Sequence, residues 1–174
     1  MRLLRSVLVA LALLLPTLAA AQAEHEVKAA FLMRFLSFVE WPEAAFPRPE
    51  SPISIGVLGS DEVVAVLQDI TTGRVVQARP VQVRRMKEGE PAAGVHLLFV
   101  ARAASASLPK VAGTPGVMVV AESEGALERG ATVNFVRRDG RVRFEVALDA
   151  AERQGLRISS RMLSVAQHVR QGKL

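Results

Sequence analysis

Between residues 24 and 40 apolar side chains recur every three or four positions. At about 100° per residue, Val27, Phe31, Leu32, Phe35, Leu36, Phe38 and Val39 occupy one half of a helical circumference. Glu26, Ser37 and Glu40 fill much of the other half. The spacing predicts an amphipathic helix over 24–40 with a wide buried face. Pro42 ends it, because a residue ahead of proline is driven out of helical geometry, and Trp41 holds that position. Lys28 breaks the pattern by falling inside the apolar arc. Either its stem snorkels outward to water or its charge is held at the rim of a groove.

Further along, the period changes. After the proline-rich PEAAFPRPESP, the run ISIGVLG at 53–59 reads as a buried strand closed by glycine. Ser60 can cap a helix over DEVVAVLQDI at 61–70. Residues 75–86 contain an alternating strand with Val81 and Val83 on one face. VHLLFVA at 95–101 and GVMVVAES at 116–123 are continuous apolar runs of the kind found in strands buried on both faces. Between them ASASLPKVAG fits a short proline-bearing helix, and EGALERG a single helical turn stopped by glycine.

The stretch ATVNFVRR-DG-RVRFEVAL carries the strongest local signal, two alternating runs about an Asp-Gly turn. Setting Arg138 opposite Arg141 puts Phe135 against Phe144 and Val133 against Val146 on the core side. Asn134 then faces Glu145, and Val136 faces Arg143, on a side that is either solvated or a contact surface. DAAERQG follows as a short helix. A last helix, RMLSVAQHVRQ, is capped by Ser159 or Ser160 and turns Met162, Leu163, Ala166 and Val169 inward. These elements imply an α/β fold in one domain, a mixed β-sheet flanked by helices, with a C-terminal β-hairpin and final helix.

The first 23 residues are of another kind. Arg2 and Arg5 precede the apolar run Val7–Leu15, and Pro16 leads into small residues with A-x-A patterns ending at Ala21 or Ala23. This is a secretory signal peptide, since the run is too short to cross the roughly 30 Å apolar core of a membrane. Residues 24–174 then form the exported domain, with no direct membrane insertion after leader cleavage. The leader holds two of the 22 basic residues and none of the 17 acidic ones, so 20 basic face 17 acidic residues in the remainder. That mild excess does not imply nucleic acid. The absence of cysteine excludes a disulfide framework and thiol chemistry.

Candidate chemistry is sparse. His25, His96 and His168 lie in different elements and form no metal-ligand spacing. His96 opens a buried strand and reads as a core histidine. No G-x-S-x-G elbow is present. The turn Gly56-Val57-Leu58-Gly59-Ser60 is either a tight strand-to-helix connection or an anion cradle, and it matches neither nucleotide-binding fingerprint. Glu40 with Glu43, and Glu122 with Glu124, show no sign of an acid–base pair. No catalytic residue, metal or cofactor is assigned, and a binding or regulatory module follows by elimination.

The blocks VKAAFLMRFLSFVEWP, ISIGVLG, VHLLFVA and RVRFEVALDAAERQGLRISSRMLSVA, in that order over about 26–169, resemble the YfiR-like family of periplasmic regulators. The resemblance implies a periplasmic α/β protein, commonly a homodimer. It also implies binding to the periplasmic portion of an inner-membrane diguanylate cyclase, which is repressed so that cyclic di-GMP and biofilm formation fall. Relatives also accompany other membrane sensor proteins such as histidine kinases. The member that gives the family its name carries cysteine pairs, so disulfide control does not transfer to this chain. On this reading the candidate partner contacts are the helix face at Lys28 and Arg34, the helix exit at Glu40 and Trp41, and the hairpin face at Arg143 and Glu145. Trp41 is either a lid over the core edge or an exposed anchor. Arg143 and Glu145 are either a contact or a pair stabilising the sheet surface. Two other functions compete: a periplasmic small-molecule-binding or accessory protein serving a receptor, and a hydrolase with an unrecognised site.

Overall fold

The computed structural model describes residues 21–172, so the expected leader lies outside them apart from its last three positions. Helix α1 covers 21–35 and ends earlier than its apolar pattern suggests. Ser37 N–H donates to Arg34 O at 3.0 Å and Phe38 N–H to Phe35 O at 2.9 Å, closing a turn. The chain then extends as β1, Val39–Glu40, because these residues find an antiparallel partner in Arg157–Ile158. A tertiary pairing has overridden a local helical preference.

Strand β2, Ile53–Leu58, is buried at all six positions. The Ser60 side chain accepts from Val63 N–H and starts α2, Asp61–Thr71, as expected. Strands β3, Val75–Val76, and β4, Arg79–Met86, form a hairpin. Its turn residues Gln77 and Ala78 both have positive φ, at 51° and 60°, a conformation usually left to Asn and Gly. Strand β5, Leu97–Val100, leads into a 3₁₀ segment, Arg102–Ser107, and a single turn α3, Leu108–Val111. Strand β6 is Met118–Ala121. The following EGALERG stretch forms consecutive turns rather than an assigned helix, with one helical bond from Arg129 N–H to Gly125 O.

The hairpin of β7, Val133–Arg138, and β8, Arg141–Ala147, has the register the Asp-Gly turn requires: Arg138 opposite Arg141, Phe135 opposite Phe144, Val133 opposite Val146. Asp139 and Gly140 both have positive φ, which gives the turn its primed geometry. One end of the other face is not solvated. Asn134 is buried, and its Oδ1 accepts from Ser123 N–H at 3.2 Å.

The C-terminus departs most from the sequence pattern. After α4, Leu148–Arg153, and β9, Arg157–Ile158, helix α5 is one turn, Ser160–Leu163. His168–Arg170 is then strand β10, parallel to β8, where a continuing helix was expected.

The large sheet has the order β10-β8-β7-β6-β5-β2-β4-β3. Five neighbours, β4-β2-β5-β6-β7, run parallel. Numbered among themselves they follow 2-1-3-4-5, one of the doubly wound orders. Helices α1 and α2 cover one face, and the 3₁₀ segment, α3 and residues 123–131 cover the other. Under α1, Phe31 and Phe35 meet Phe144 at ring-centroid distances of 5.5 and 5.0 Å, and Phe35 stacks on Phe135 at 6.0 Å. Each such ring contributes roughly 1.5–3 kcal/mol by leaving water. This pins α1 across the hairpin and creates a seam along the flank of β8.

Candidate functional site

Doubly wound sheets hold ligands outside the carboxyl ends of their strands, where the strand order reverses, here between β2 and β5. In this protein that crevice is filled. Ala101 N–H donates to Leu58 O at 2.9 Å, and the 3₁₀ segment folds back over Gly59. A Cβ placed on Gly59, whose φ is 85°, would stand 2.7 Å from Ala104 Cβ. The strand-to-helix turn is a close-packed connection. Among the described residues no group of three or more His, Asp or Glu side chains could hold a metal ion.

The expected contact residues fall in three separate places. Lys28 is buried rather than snorkelling to water, and is held by two carboxylates. Its ammonium pairs with Glu24 at 2.6 Å and with Glu122. Glu24 also takes Arg137 at 3.2 Å. The Lys28 hydrogen bond, with the lysine and Arg137 charges, outweighs partial burial and draws the Glu24 carboxyl below its ordinary pKa. The other oxygen of Glu122 accepts from Arg102 N–H at 3.0 Å. This cluster ties α1 to the ends of β5 and β6, beside a shallow hollow of about 380 Å³ lined also by Asn134 and Arg138.

Trp41 and Glu40 form the second place. Glu40 is exposed on β1 beside Arg157. Trp41 is 9% exposed and donates its indole N–H to His96 O at 3.0 Å. Its ring meets the His96 imidazole edge-on. That imidazole accepts from Ser54 N–H at Nδ1, 3.0 Å, and donates from Nε2 to Ala45 O, 3.1 Å. Phe46 stacks on it at 4.3 Å, with the Arg79 guanidinium 3.7 Å over the far side of Phe46. Burial is the main cause holding the His96 pKa below its ordinary value, and the Arg79 charge adds to it. Every polar atom of this histidine is used within the fold, so it is a structural core residue.

The third place joins Arg34 to Arg143. Two hollows, of about 510 and 250 Å³, share Phe31 and Arg143 and run along the seam between α1 and β8. Their apolar lining includes Val27, Phe31, Phe38, Val142 and Val165. Val27 and Val165 are 41% and 65% exposed, among the most exposed large apolar side chains described. Arg34, Arg141, Arg143 and Arg161 stand around this lining, and none forms an ion pair among the described residues. Glu145 lies further along β8, half-buried between Asn134 and His168 of the adjoining strands. Arg161 and Val165 escaped the sequence reading because a continuous last helix turns both away from its inward stripe. An apolar seam rimmed by unpaired cations can bind protein; it offers no nucleophile with a base.

The profile of the YfiR/HmsC-like family matches residues 25–167. The chain belongs to the YfiR/HmsC-like family. That family is regulatory rather than catalytic and works in the periplasm. Within the described residues no helix is long and apolar enough to cross a membrane. No curated protein matches the chain. Among solved structures it is similar to the ABC domain in complex with L-Trp from Streptococcus pneumonia. The two share 13% identity at a TM-score of 0.48, over 67% of this chain and 55% of that one. The chain thus spans about half the length of that structure.

Proposed function

We propose that this protein is exported to the periplasm, binds the periplasmic portion of an inner-membrane diguanylate cyclase and holds it inactive, lowering cyclic di-GMP. The family match over 25–167 carries the reading. The arginine-rimmed seam supports it, and so does the filled crevice at the strand ends, where an enzyme of this architecture would keep its substrate. The action is stoichiometric: a bound repressor stabilises the receptor arrangement it prefers. Moving a receptor from 1:99 to 99:1 takes about 5.5 kcal/mol of such preference. An interface of roughly 1,600 Å² supplies that.

Deleting the gene and measuring cyclic di-GMP, with capture from solubilised membranes by the 24–174 chain, tests the proposal. A rise in the nucleotide together with a co-purifying cyclase is the expected result. An unchanged level and no cyclase in the capture would reject it.

A further inference from the structure

Strand β8 has two edges, and one is half bare. Ala147 N–H donates to Thr132 O at 2.9 Å, which marks Ala147 as a position bonded towards β7. Bonding positions on an antiparallel strand alternate, so Glu145, Arg143 and Arg141 also turn their main-chain groups to β7. Val142, Phe144 and Val146 turn theirs the other way. Strand β10 meets that outer edge only from Glu145 to Ala147, with Gln167 N–H reaching back to Phe144 O at 2.8 Å. Val142 is left with its N–H and C=O directed outward and no strand against them among the described residues. The bare stretch, Arg141–Phe144, is the one that borders the seam.

We infer that this bare half-edge is a docking site for an extended segment of another protein, alternating acidic and apolar residues, which joins the sheet as an added strand. The inference rests on the proposed receptor-binding role and names the contact that role would use. Exposed edges template pairing with any chain unless something selects the partner. Here the selection is electrostatic. Arg141 and Arg143 lie on one side of β8 and Val142 on the other, against α1 beside Val27 and Phe31. An incoming strand would thus set acidic residues beside the arginines and apolar ones over the seam, for roughly 13 Å at about 3.3 Å per residue. A second copy is the wrong occupant. Two β8 edges paired about a two-fold axis would place Arg141 and Arg143 against the same arginines of the other copy, and like charges across strands repel. Homodimer formation would use another surface.

The test uses the 24–174 chain and three blocked octapeptides: alternating Glu-Val, alternating Lys-Val, and Glu-Val N-methylated at alternate residues. Affinity by calorimetry and amide protection at Val142 by NMR are the readouts. The Glu-Val peptide should bind and protect that amide, and each of the other two should bind about tenfold or more weakly. Arg141→Glu with Arg143→Glu should reverse the preference between the acidic and basic peptides. Val142→Pro should abolish strand addition while keeping the β7 pairing, because proline removes only the outward N–H. If that proline variant unfolds, the charge-reversal variant decides alone. Equal binding of both charged peptides, or no protection at Val142, would overturn the inference. So would a dimer of the chain that charge reversal dissociates. Cyclase capture separates the two readings: capture unchanged by charge reversal removes this contact and leaves the receptor role, while peptide binding without any capture does the reverse.

Discussion

The indole N–H of Trp41 and the main-chain carbonyl of His96 are 3.0 Å apart and hydrogen-bonded, so the chain just past α1 and β1 is latched to the residue that precedes β5. His96 O also accepts from Met118 N–H at 2.8 Å, and would not be orphaned by losing Trp41. The two obvious substitutions should therefore differ. Trp41→Phe keeps most of the apolar ring and costs about 1 kcal/mol. Trp41→Ala empties a buried site and costs about 3–5 kcal/mol. Urea denaturation of both variants measures the difference, and equal small losses would show that the residue is not a lid over the core.

Acid should weaken the protein through His96. Its folded pKa is depressed, so below about pH 6.5, the ordinary histidine value, the unfolded chain takes up a proton that the folded chain refuses. Stability falls as pH drops through this window, with a slope of up to about 1.4 kcal/mol per unit from this group. It is fully present above the window. His96→Gln should flatten that slope; an unaltered pH profile of the melting temperature would place the acid sensitivity elsewhere.

Lys28 should behave as a buried structural charge. Lys28→Met leaves Glu24 with Arg137 alone and Glu122 with the Arg102 N–H alone, at 26% and 13% side-chain exposure, and should cost about 3 kcal/mol. Adding Glu122→Gln should recover part of that loss, since it removes an uncompensated carboxylate. A double-mutant cycle measures the coupling, and strict additivity would contradict the arrangement.

The Gln77-Ala78 turn has a job that explains its odd backbone. Gln77 Nε2 donates to Leu36 O and Val39 O, each at 2.8 Å, satisfying carbonyls freed where α1 gives way to β1. Gln77→Ala should cost about 1–2 kcal/mol by removing that donor. Ala78→Gly should stabilise by roughly 0.5 kcal/mol, because glycine accepts φ near 60° without strain. Chemical denaturation of the pair distinguishes the two signs.

Local chemistry made much of this fold legible. Asp139-Gly140 admits one tight turn, and from it the whole β7–β8 register followed, down to Phe135 against Phe144. The parallel strands showed as short apolar runs because helices and turns bury them on both faces. Non-local pairing hid the rest. Val39–Glu40 left the helix to meet Arg157–Ile158, and His168–Arg170 left it to cover β8; neither partner is close in sequence. Met162, Leu163, Ala166 and Val169 satisfy a helical spacing equally well, so periodicity alone could not decide. The seam was half legible. Arg34 and Arg143 were named as candidate partner contacts on separate faces, but their meeting, and the part of Arg161 and Val165 in it, depended on where the last helix stops.

The methyl group of Ala104 packs over Gly59 and closes the mouth of the sheet. The crevice in which other doubly wound sheets hold a ligand is here corked with the protein's own side chain, which is why the proposed contact lies on the flank. Reopening that mouth would take more than a smaller residue at 104, since Gly59 is already the smallest possible and the whole 3₁₀ segment would have to lift away.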